Sequence, residues 1–330
     1  MTIRVLAPGR VNLIGDHTDY TGGLVLPMAI DRYTEIVGWR EGHRVHLHSV
    51  DEADDVDIPL DVPEPESVQP AWGRYVAGVV HELRPPVGFH GSVSTDIPIG
   101  AGLSSSAALE VAVALALGHS GDVLDLARTC QRAEQRASGV PCGIMDQLCI
   151  AAGMRDHALL IDCGTLTIEP VRVPDDVEVV VQFIAHRTLV GSPYADRVAE
   201  CAAAEAEIGP LRLASPGDTT ALTDPTVRLR ALHVTEENQR VRDFADALRV
   251  HDLTEAGRLM VASHQSLARQ YHTSTEQMDA AVESLCATPG VHGARMTGGG
   301  FGGCVVALAE PGAVRHGWVV RAVDGARSSG

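Results

Sequence analysis

The first 50 residues alternate short apolar runs with glycine-containing turns. Runs of this kind, rich in β-branched residues and bounded by turn signals, predict a meandering β-sheet. Residues 51–70 are instead rich in Asp, Glu and Pro, and we expect an exposed excursion that rejoins the fold at Trp72. The predicted strands cover residues 3–7, 24–30, 35–39 and 45–50.

In the middle of the chain, apolar residues recur three or four positions apart, which predicts helices. Residues 104–117 are rich in Ala, Leu and Val and begin with serines, which is the composition of a buried helix with a capped N-terminus. Other helices are predicted at residues 72–83, 124–138 and 146–152, and strands at 89–96, 158–162 and 177–184.

The last third of the chain is mainly helical and then returns to strands. Two of its helices begin with the spacing of a capping box, Asp252 with Glu255 and Ser274 with Gln277. Residues 164–175 are the candidate junction between two domains, predicted at 1–168 and 169–330. The helices cover residues 197–208, 235–249, 253–270 and 275–287, and the strands 292–297, 304–309 and 318–323.

Charge and composition exclude several classes of function. The 330 residues carry a formal net charge of −17, which opposes sequence-independent attraction to nucleic acid or to an anionic lipid surface. The chain contains no lysine, so it has neither the lysine of a Walker phosphate loop nor an amine for Schiff-base chemistry. We expect the acidic run at residues 51–57 to be a solvated surface, because it lacks the spaced ligands of a calcium loop.

The cysteines and the hydropathy indicate the compartment. Seven cysteines are scattered without a C-x-x-C pair, which favours reduced thiols in a cytosol. No run approaches the roughly 18 apolar residues of a membrane span, and no signal peptide is recognisable. We therefore expect a cytoplasmic protein that does not act at a membrane.

A glycine- and serine-rich loop, PIGAGLSSS at residues 98–106, joins a predicted strand to the predicted helix 104–117. Glycines permit close approach of the backbone, the helix N-terminus offers unpaired N–H groups, and the hydroxyls can bind a phosphate or its magnesium ion. A structural cap would need one serine, whereas three lower the helix propensity. We interpret the loop as a phosphate-binding site.

A second glycine cluster, GGGFGG at residues 298–303, satisfies the pattern G-x-G-x-x-G. A β-like segment follows it instead of a helix, so it is not a dinucleotide-binding fingerprint. Two interpretations stay open, a simple hairpin turn and a backbone loop that closes on a ligand.

Polar residues are concentrated in GRVNLIGDHTDYTGG, residues 9–23. Alternating donors and acceptors of this kind suit the hydroxyls of a small polyol. A metal site is the alternative, although the usual spacing of two His ligands is missing. In GIMDQ, residues 143–147, Asp146 stands where a turn becomes a helix, a position that is ordinarily a helix cap.

Four ordered motifs together resemble the galactokinases of the GHMP small-molecule kinase superfamily. They are PGRVNLIGDHTDYTGGLVLPMAI at 8–30, PIGAGLSSSAALE at 98–110, CQRAEQRASGVPCGIMDQ at 130–147 and GARMTGGGFGGC at 293–304. The resemblance implies an α/β (α+β) fold, the two-lobed GHMP kinase fold of mixed sheets and helices, with the active site between the lobes. It also implies transfer of the ATP γ-phosphate to the anomeric hydroxyl of a hexose, most simply galactose, with Mg²⁺ as cofactor.

The resemblance assigns roles residue by residue. Asp146 matches the catalytic aspartate, which would accept the proton of the sugar hydroxyl or position it, and Arg10 matches its arginine partner. The sugar-contacting positions are matched by Asp16, His17, Asp19, Gly143 and Tyr194. The magnesium positions are matched by Ser106 and Glu134, and the adenine-flanking residue by Trp72. The triphosphate loop is matched by Gly100, Ala101, Gly102, Leu103, Ser104, Ser105 and Ser106.

This sequence departs from the family pattern at two positions in the sugar region. Asp16 stands where galactokinases usually have Glu, and Val198 replaces an arginine that usually follows Tyr194. The shorter side chain of Asp16 keeps open a kinase for another hexose, an amino sugar or a uronic acid. A non-catalytic sugar sensor is the third alternative. Sensor relatives in this family lack part of the Ser-Ala run after the phosphate loop, whereas Ser106, Ala107 and Ala108 are intact here, which argues against a sensor.

Overall fold

The structure is a computed structural model that describes residues 1–187 and 191–330. Within these ranges it contains thirteen strands and eight α-helices. The strands are β1 (Ile3–Asn12), β2 (Leu24–Val25), β3 (Pro27–Arg40), β4 (Arg44–Ser49), β5 (Val56–Pro59), β6 (Phe89–Thr95), β7 (His157–Asp162), β8 (Thr167–Arg172), β9 (Glu178–Ala185), β10 (Val291–Thr297), β11 (Gly303–Ala309), β12 (Trp318–Val320) and β13 (Arg327–Ser329). The helices are α1 (Gly73–Leu83), α2 (Ser105–Leu117), α3 (Val123–Ser138), α4 (Met145–Ala152), α5 (Tyr194–Ile208), α6 (Pro225–Arg249), α7 (Leu253–Ser266) and α8 (Glu276–Cys286).

The N-terminal part is built on a six-stranded sheet in the order β13-β1-β3-β6-β4-β5. Neighbouring strands run antiparallel, except β4 and β6, which are parallel. Helix α2 packs against β1 and β3 and is surrounded by α1, α3 and α4. Most side chains of α2 are small and buried, so the helix is fixed in the core. The glycine- and serine-rich loop that precedes it is therefore attached to a rigid element.

Two predictions in this sheet are wrong in detail. The predicted strands at 24–30 and 35–39 belong largely to one long strand, β3, because β1 pairs with it from Pro27 to Gly38 across a bulge between Pro8 and Gly9. The excursion at 51–70 contains strand β5, whose Val56 and Ile58 are buried. These two residues alternate with Asp57 and Pro59, and the acidic composition conceals this period.

The C-terminal part contains a four-stranded sheet in the order β10-β11-β9-β12, with α7 and α8 packed on β10. A third sheet, β2-β7-β8, contacts α6. The segment 164–175, expected as a junction, includes β8, which pairs with β7 from His157 to Asp162. The division at residue 168 thus falls inside a strand, and the two-domain arrangement stays a prediction.

The N-termini of α7 and α8 can be compared with the two predicted capping boxes. Asp252 accepts a hydrogen bond from the backbone N–H of Glu255 and caps α7, as predicted. The second box is wrong by one residue, because Thr275 and not Ser274 has the extended backbone of an N-cap and accepts from Met278 N–H. Helix α7 also ends earlier than predicted, at Ser266, and is followed by a π-helical turn at Leu267–Tyr271.

Two expectations about the whole molecule can be compared with the described residues. All seven cysteines are free thiols. Among the described residues, no helix has both the length and the apolarity needed to cross a membrane.

Candidate active site

One cavity of about 340 Å³ collects the segments that the sequence analysis singled out. It is bordered by the loop after β1, the loop before α2, the N-terminus of α4 and the turn between β10 and β11. Of the predicted site residues, only Ala101 and Leu103 do not line it, because their side chains are buried in the core. The lining includes Arg10, Asp16, His17, Asp19, Trp72, Gly100, Gly102, Ser104, Ser105, Ser106, Glu134, Gly143, Asp146 and Tyr194.

Arg10 and Asp146 form a bidentate ion pair at the centre of this cavity. Nε and Nη2 of Arg10 each donate to one carboxylate oxygen of Asp146 at 2.7 Å, and Nη1 donates to the carbonyl of Gly102, also at 2.7 Å. The Arg10 side chain is buried, whereas that of Asp146 is 26% exposed toward the cavity. The guanidinium thus holds the carboxylate rigidly while leaving it accessible to a ligand.

Ser104 has a different local role from the expected helix cap. Its backbone is left-handed, with φ of 60°, and its side chain does not cap α2. The hydroxyl donates instead to Oδ2 of Asp146. Oδ2 therefore accepts from two protein donors and Oδ1 from one, so Oδ1 keeps a lone pair for a substrate hydroxyl.

The N-terminus of α2 faces the cavity with Ser105 and Ser106 in its first turn. The first N–H groups of a helix have no intrahelical partner, and the dipole makes this end favourable for anions. Arg187, two residues after the end of β9, lies close by, and a Cβ on Gly102 would be 3.0 Å from its guanidinium. Backbone donors, hydroxyls and a guanidinium therefore surround a space that suits phosphate groups.

The donor set at Ser106 and Glu134 fits a magnesium ion. The hydroxyl of Ser106 donates to Oε1 of Glu134 at 3.0 Å, and burial, followed by the nearby Asp146, raises the pKa of Glu134 to about 7. Mg²⁺ prefers hard oxygen ligands and commonly uses one or two carboxylates together with substrate phosphates. Residues 1–187 and 191–330 contain no group of three or more His, Cys, Asp or Glu side chains that could hold a metal by themselves.

Two buried residues behind Glu134 were not identified from the sequence. The amide of Gln147 donates to Glu134 at 2.5 Å and to Glu110 at 3.2 Å. Burial, with Glu134 as the next contribution, raises the pKa of Glu110 well above its usual value. The three side chains connect α2, α3 and α4 directly beneath the cavity.

On the opposite side of the cavity, Asp16 is held by two partners from the β10 hairpin. Its Oδ2 lies 2.7 Å from Nη2 of Arg295, and its Oδ1 accepts from the backbone N–H of Gly298 at 3.0 Å. From α6, Glu237 accepts from the N–H of Gly15 at 3.0 Å. The polar loop after β1 is therefore fixed by residues from distant parts of the chain.

Asp19 occupies a position that only a glycine neighbour permits. A Cβ on Gly143 would lie 2.0 Å from Oδ2 of Asp19, which is far inside contact distance. Burial, followed by the charge of Asp146, raises the pKa of Asp19 to about 7. Asp16, Asp19 and Asp146 thus bring three carboxyl groups to the same cavity, and sugar hydroxyls could donate to such groups.

Three family models match the chain. They are the galactokinase galactose-binding signature at residues 2–39, the GHMP kinase N-terminal domain at 74–154 and the GHMP kinase C-terminal domain at 244–318. Galactokinase of Homo sapiens is 41% identical over 334 residues, which cover 95% of this chain and 85% of the human protein. Galactokinase of Haemophilus influenzae (strain PittGG) is also 41% identical, over 93% of this chain and 85% of its own. This chain belongs to the galactokinase family.

Solved structures agree with this family assignment. Lactococcus lactis galactokinase complexed with galactose matches with a TM-score of 0.91 at 32% identity, over 99% of this chain and 95% of its own. Mevalonate kinase of Methanococcus jannaschii, at 20% identity and a TM-score of 0.68 over 94% of this chain and 90% of its own, shows the fold alone. The predicted GHMP kinase fold and the galactokinase resemblance are both confirmed.

The structure adds two arginines to the site that the family motifs of this galactokinase relative did not single out. Arg187 follows β9 on the phosphate side, and Arg295 lies on β10 beneath Asp16. Arg295 stands inside the motif GARMTGGGFGGC, but its partner is far away in the sequence. The glycine-rich turn that follows joins the two strands of a β-hairpin and lines the cavity through Gly298 and Gly299. That it closes on a ligand stays a prediction.

Proposed function

We propose that this chain is a galactokinase, which transfers the γ-phosphoryl group of ATP to the anomeric hydroxyl of D-galactose and releases galactose 1-phosphate and ADP. The Arg10–Asp146 pair carries the proposal. It lies between a polyol-binding loop and a helix N-terminus suited to phosphate, within one cavity of a galactokinase-family chain. Phosphoryl transfer requires such positioning and charge neutralisation more than covalent chemistry.

On the nucleotide side, Trp72 would flank the adenine, and the loop from Gly100 to Ser105 would bind the triphosphate with its backbone N–H groups and hydroxyls. Arg187 would add a positive charge beside the same loop. Its guanidinium would thereby provide the charge that a lysine provides for the phosphates in other nucleotide-binding sites. Ser106 and Glu134 would hold Mg²⁺, which neutralises triphosphate charge when bound.

On the sugar side, Asp19, Tyr194 and His17 would contact galactose hydroxyls, and Asp16 would border the sugar without reaching the hydroxyl on C6. Gly143 would leave room for Asp19. Each hydroxyl can donate one hydrogen bond and accept two, so carboxylates and ring nitrogens that converge on one cavity can distinguish the sugar's stereochemistry.

The reaction would proceed by in-line attack of the sugar O1 on the γ-phosphorus. As the O1–P bond forms and the bond from phosphorus to the bridging oxygen of ADP breaks, the hydroxyl proton passes to Oδ1 of Asp146, which retains a free lone pair. Arg10 keeps the carboxylate in place and stabilises negative charge near the attacking oxygen.

A coupled assay of ADP formation across a panel of monosaccharides tests the proposal. We expect turnover that depends on both ATP and Mg²⁺, with D-galactose above D-glucose, an amino sugar and a uronic acid. A better substrate elsewhere in the panel would assign the chain to another sugar. A folded sample that binds ATP and phosphorylates no sugar would favour the sensor.

A further inference from the structure

The π-helical turn Leu267–Tyr271 places a tyrosine directly behind the sugar side of the cavity. Tyr271 is completely buried, and its ring centroid lies 4.7 Å from that of His17. The turn is fixed by two arginines from neighbouring helices. Arg197 donates to the carbonyl of Tyr271 at 2.8 Å, and Arg230 donates to the carbonyl of Gln270. π-Turns interrupt helices at a cost and are frequent at functional sites.

Four side chains form a continuous row of hydrogen-bonding atoms that ends at His17. The thiol of Cys201 lies 3.0 Å from the hydroxyl of Tyr271, which lies 2.6 Å from the hydroxyl of Tyr20. The hydroxyl of Tyr20 lies 3.0 Å from Nδ1 of His17. Cys201, Tyr271 and His17 are buried, so water does not compete along most of the row.

The thiol at the far end of this row favours one direction of donation. Burial lowers the pKa of His17 well below its usual value, so the ring is neutral and carries one N–H. If Cys201 donates to Tyr271, Tyr271 to Tyr20 and Tyr20 to Nδ1, every contact has one hydrogen. The reverse direction also places one hydrogen in each contact, but it leaves the thiol hydrogen without a contact in the row, whereas the first direction uses it as a weak donor.

The cavity end of His17 fits this direction. Nε2 of His17 is buried, makes no short hydrogen bond to the described residues, and belongs to a side chain that lines the cavity. A backbone hydrogen bond with Gly299, in the glycine-rich turn, acts to raise the pKa of the ring, as a ring N–H that donates to a carbonyl would. If Tyr20 donates a hydrogen bond to Nδ1, then Nδ1 is the acceptor nitrogen of the neutral ring. The single ring proton is therefore on Nε2, because a neutral imidazole has one donor and one acceptor nitrogen.

We propose that Tyr20 and Tyr271 are positioning residues that hold His17 in the tautomer protonated at Nε2, so that it donates a hydrogen bond to a hydroxyl oxygen of the bound sugar. The proposal rests on a sugar as the ligand of this cavity, but the tautomer is a property of the free protein. The aspartates around the sugar can only accept when ionised, so a fixed donor among them complements their chemistry.

The tautomer can be measured directly with ¹⁵N-histidine-labelled full-length protein by long-range ¹H–¹⁵N correlation spectra. The signals of His17 are assigned by their loss in His17→Asn. We expect the proton on Nε2 in the wild type and a mixture of tautomers in Tyr20→Phe. Tyr271→Phe should shift the populations less, because Tyr20 can still donate. Tyr33→Phe, on β3 outside the row, is the control and should change nothing.

Kinetics provide the second measurement. Tyr20→Phe should raise the KM for the sugar by about 3–10-fold, the equivalent of one hydrogen bond, with a smaller change in kcat. A proton on Nδ1 in the wild type would overturn the proposal, as would a Tyr20→Phe variant with unchanged tautomer and KM. Because the spectra need no sugar, absence of galactose turnover would leave the tautomer result intact and would count only against the proposed function.

Discussion

Asp16 and Arg295 form an ion pair in the interior of the protein, with 2.7 Å between Oδ2 and Nη2 and side chains only 2% and 0% exposed. The other carboxylate oxygen of Asp16 accepts from the N–H of Gly298. Both oxygens are therefore engaged by the β10 hairpin. The aspartate ties the polar loop after β1 to the glycine-rich turn, which limits how far it can reach toward a ligand.

The engagement of Asp16 predicts relaxed specificity at C6 of the sugar. An aspartate is shorter than the glutamate usual in the family by one methylene, about 1.5 Å, and a hydrogen bond does not survive that stretch. We expect 6-deoxygalactose to be used nearly as well as galactose, whereas Asp16→Glu should discriminate against it by about 5–150-fold. The measurement is kcat/KM for both sugars with both proteins.

Galacturonate completes the test of Asp16. It should remain a poor substrate, since its carboxylate would approach Asp16 and Asp19. If the wild type rejects 6-deoxygalactose as strongly as Asp16→Glu does, Asp16 reaches the C6 hydroxyl and this interpretation is wrong.

The pairing of Arg10 with Asp146 predicts a loss of turnover without a loss of nucleotide binding. Asp146→Asn should lower kcat by at least about 10²-fold, because the amide cannot take up the proton of the attacking hydroxyl. Arg10→Lys should also lower kcat, since an ammonium group cannot donate in the planar geometry that spans both carboxylate oxygens and the Gly102 carbonyl. ATP affinity, measured calorimetrically, serves as the control. Near-normal kcat in Asp146→Asn would refute the assigned role.

Gly143→Ala should weaken sugar binding selectively. The new methyl group would lie where Oδ2 of Asp19 now sits, so Asp19 must move, and a displacement of this size can change kcat/KM by about 10–100-fold. We expect the KM for galactose to rise while the KM for ATP changes little. Gly217→Ala is a matched control, because a Cβ there has its nearest neighbour at 3.6 Å. Equal effects of the two substitutions would show that Asp19 does not depend on Gly143.

Asp19 also predicts a pH dependence of the free energy of unfolding. Its pKa is about 7 in the folded protein, because burial and then Asp146 disfavour the charge, against about 3.9 in an unfolded chain. Its contribution to stability is therefore complete below pH 4 and is lost as the pH rises to about 7, by at most about 1.4 kcal/mol per pH unit.

Urea unfolding at pH 5 and pH 8 measures this contribution. Asp19→Asn does not titrate, so the wild type should lose more stability than the variant between the two pH values. The same pH dependence in both proteins would show that Asp19 keeps an ordinary pKa.

Local sequence signals predicted the elements that hold the site, for physical reasons that particular residues illustrate. Helix α2 was predictable because a helix buried on most sides consists mainly of Ala, Leu and Val. The cap of α7 by Asp252 was predictable because a helix cap involves residues within four positions of one another. Strand β5 was missed because its two buried positions, Val56 and Ile58, lie in an acidic segment and depend on pairing with β4.

The site itself was predictable through motifs, and its supports were not. Fourteen of the sixteen predicted residues line the cavity, whereas the side chains of Ala101 and Leu103 are buried in the core and do not line it. Arg295, Glu237 and Gln147 were missed because their roles arise from contacts with residues distant along the chain. The π-turn before His272 likewise has no local sequence signal that separates it from a continuing helix.

Phosphorus NMR of the product made from ATP and [1-¹³C]galactose tests the central claim most directly. The proposed reaction predicts a new sugar phosphate resonance that is coupled to the labelled carbon, which places the phosphate on O1, and its formation should stop in Asp146→Asn. A phosphate on another carbon, or no sugar phosphate from a folded sample that binds ATP, would contradict the claim.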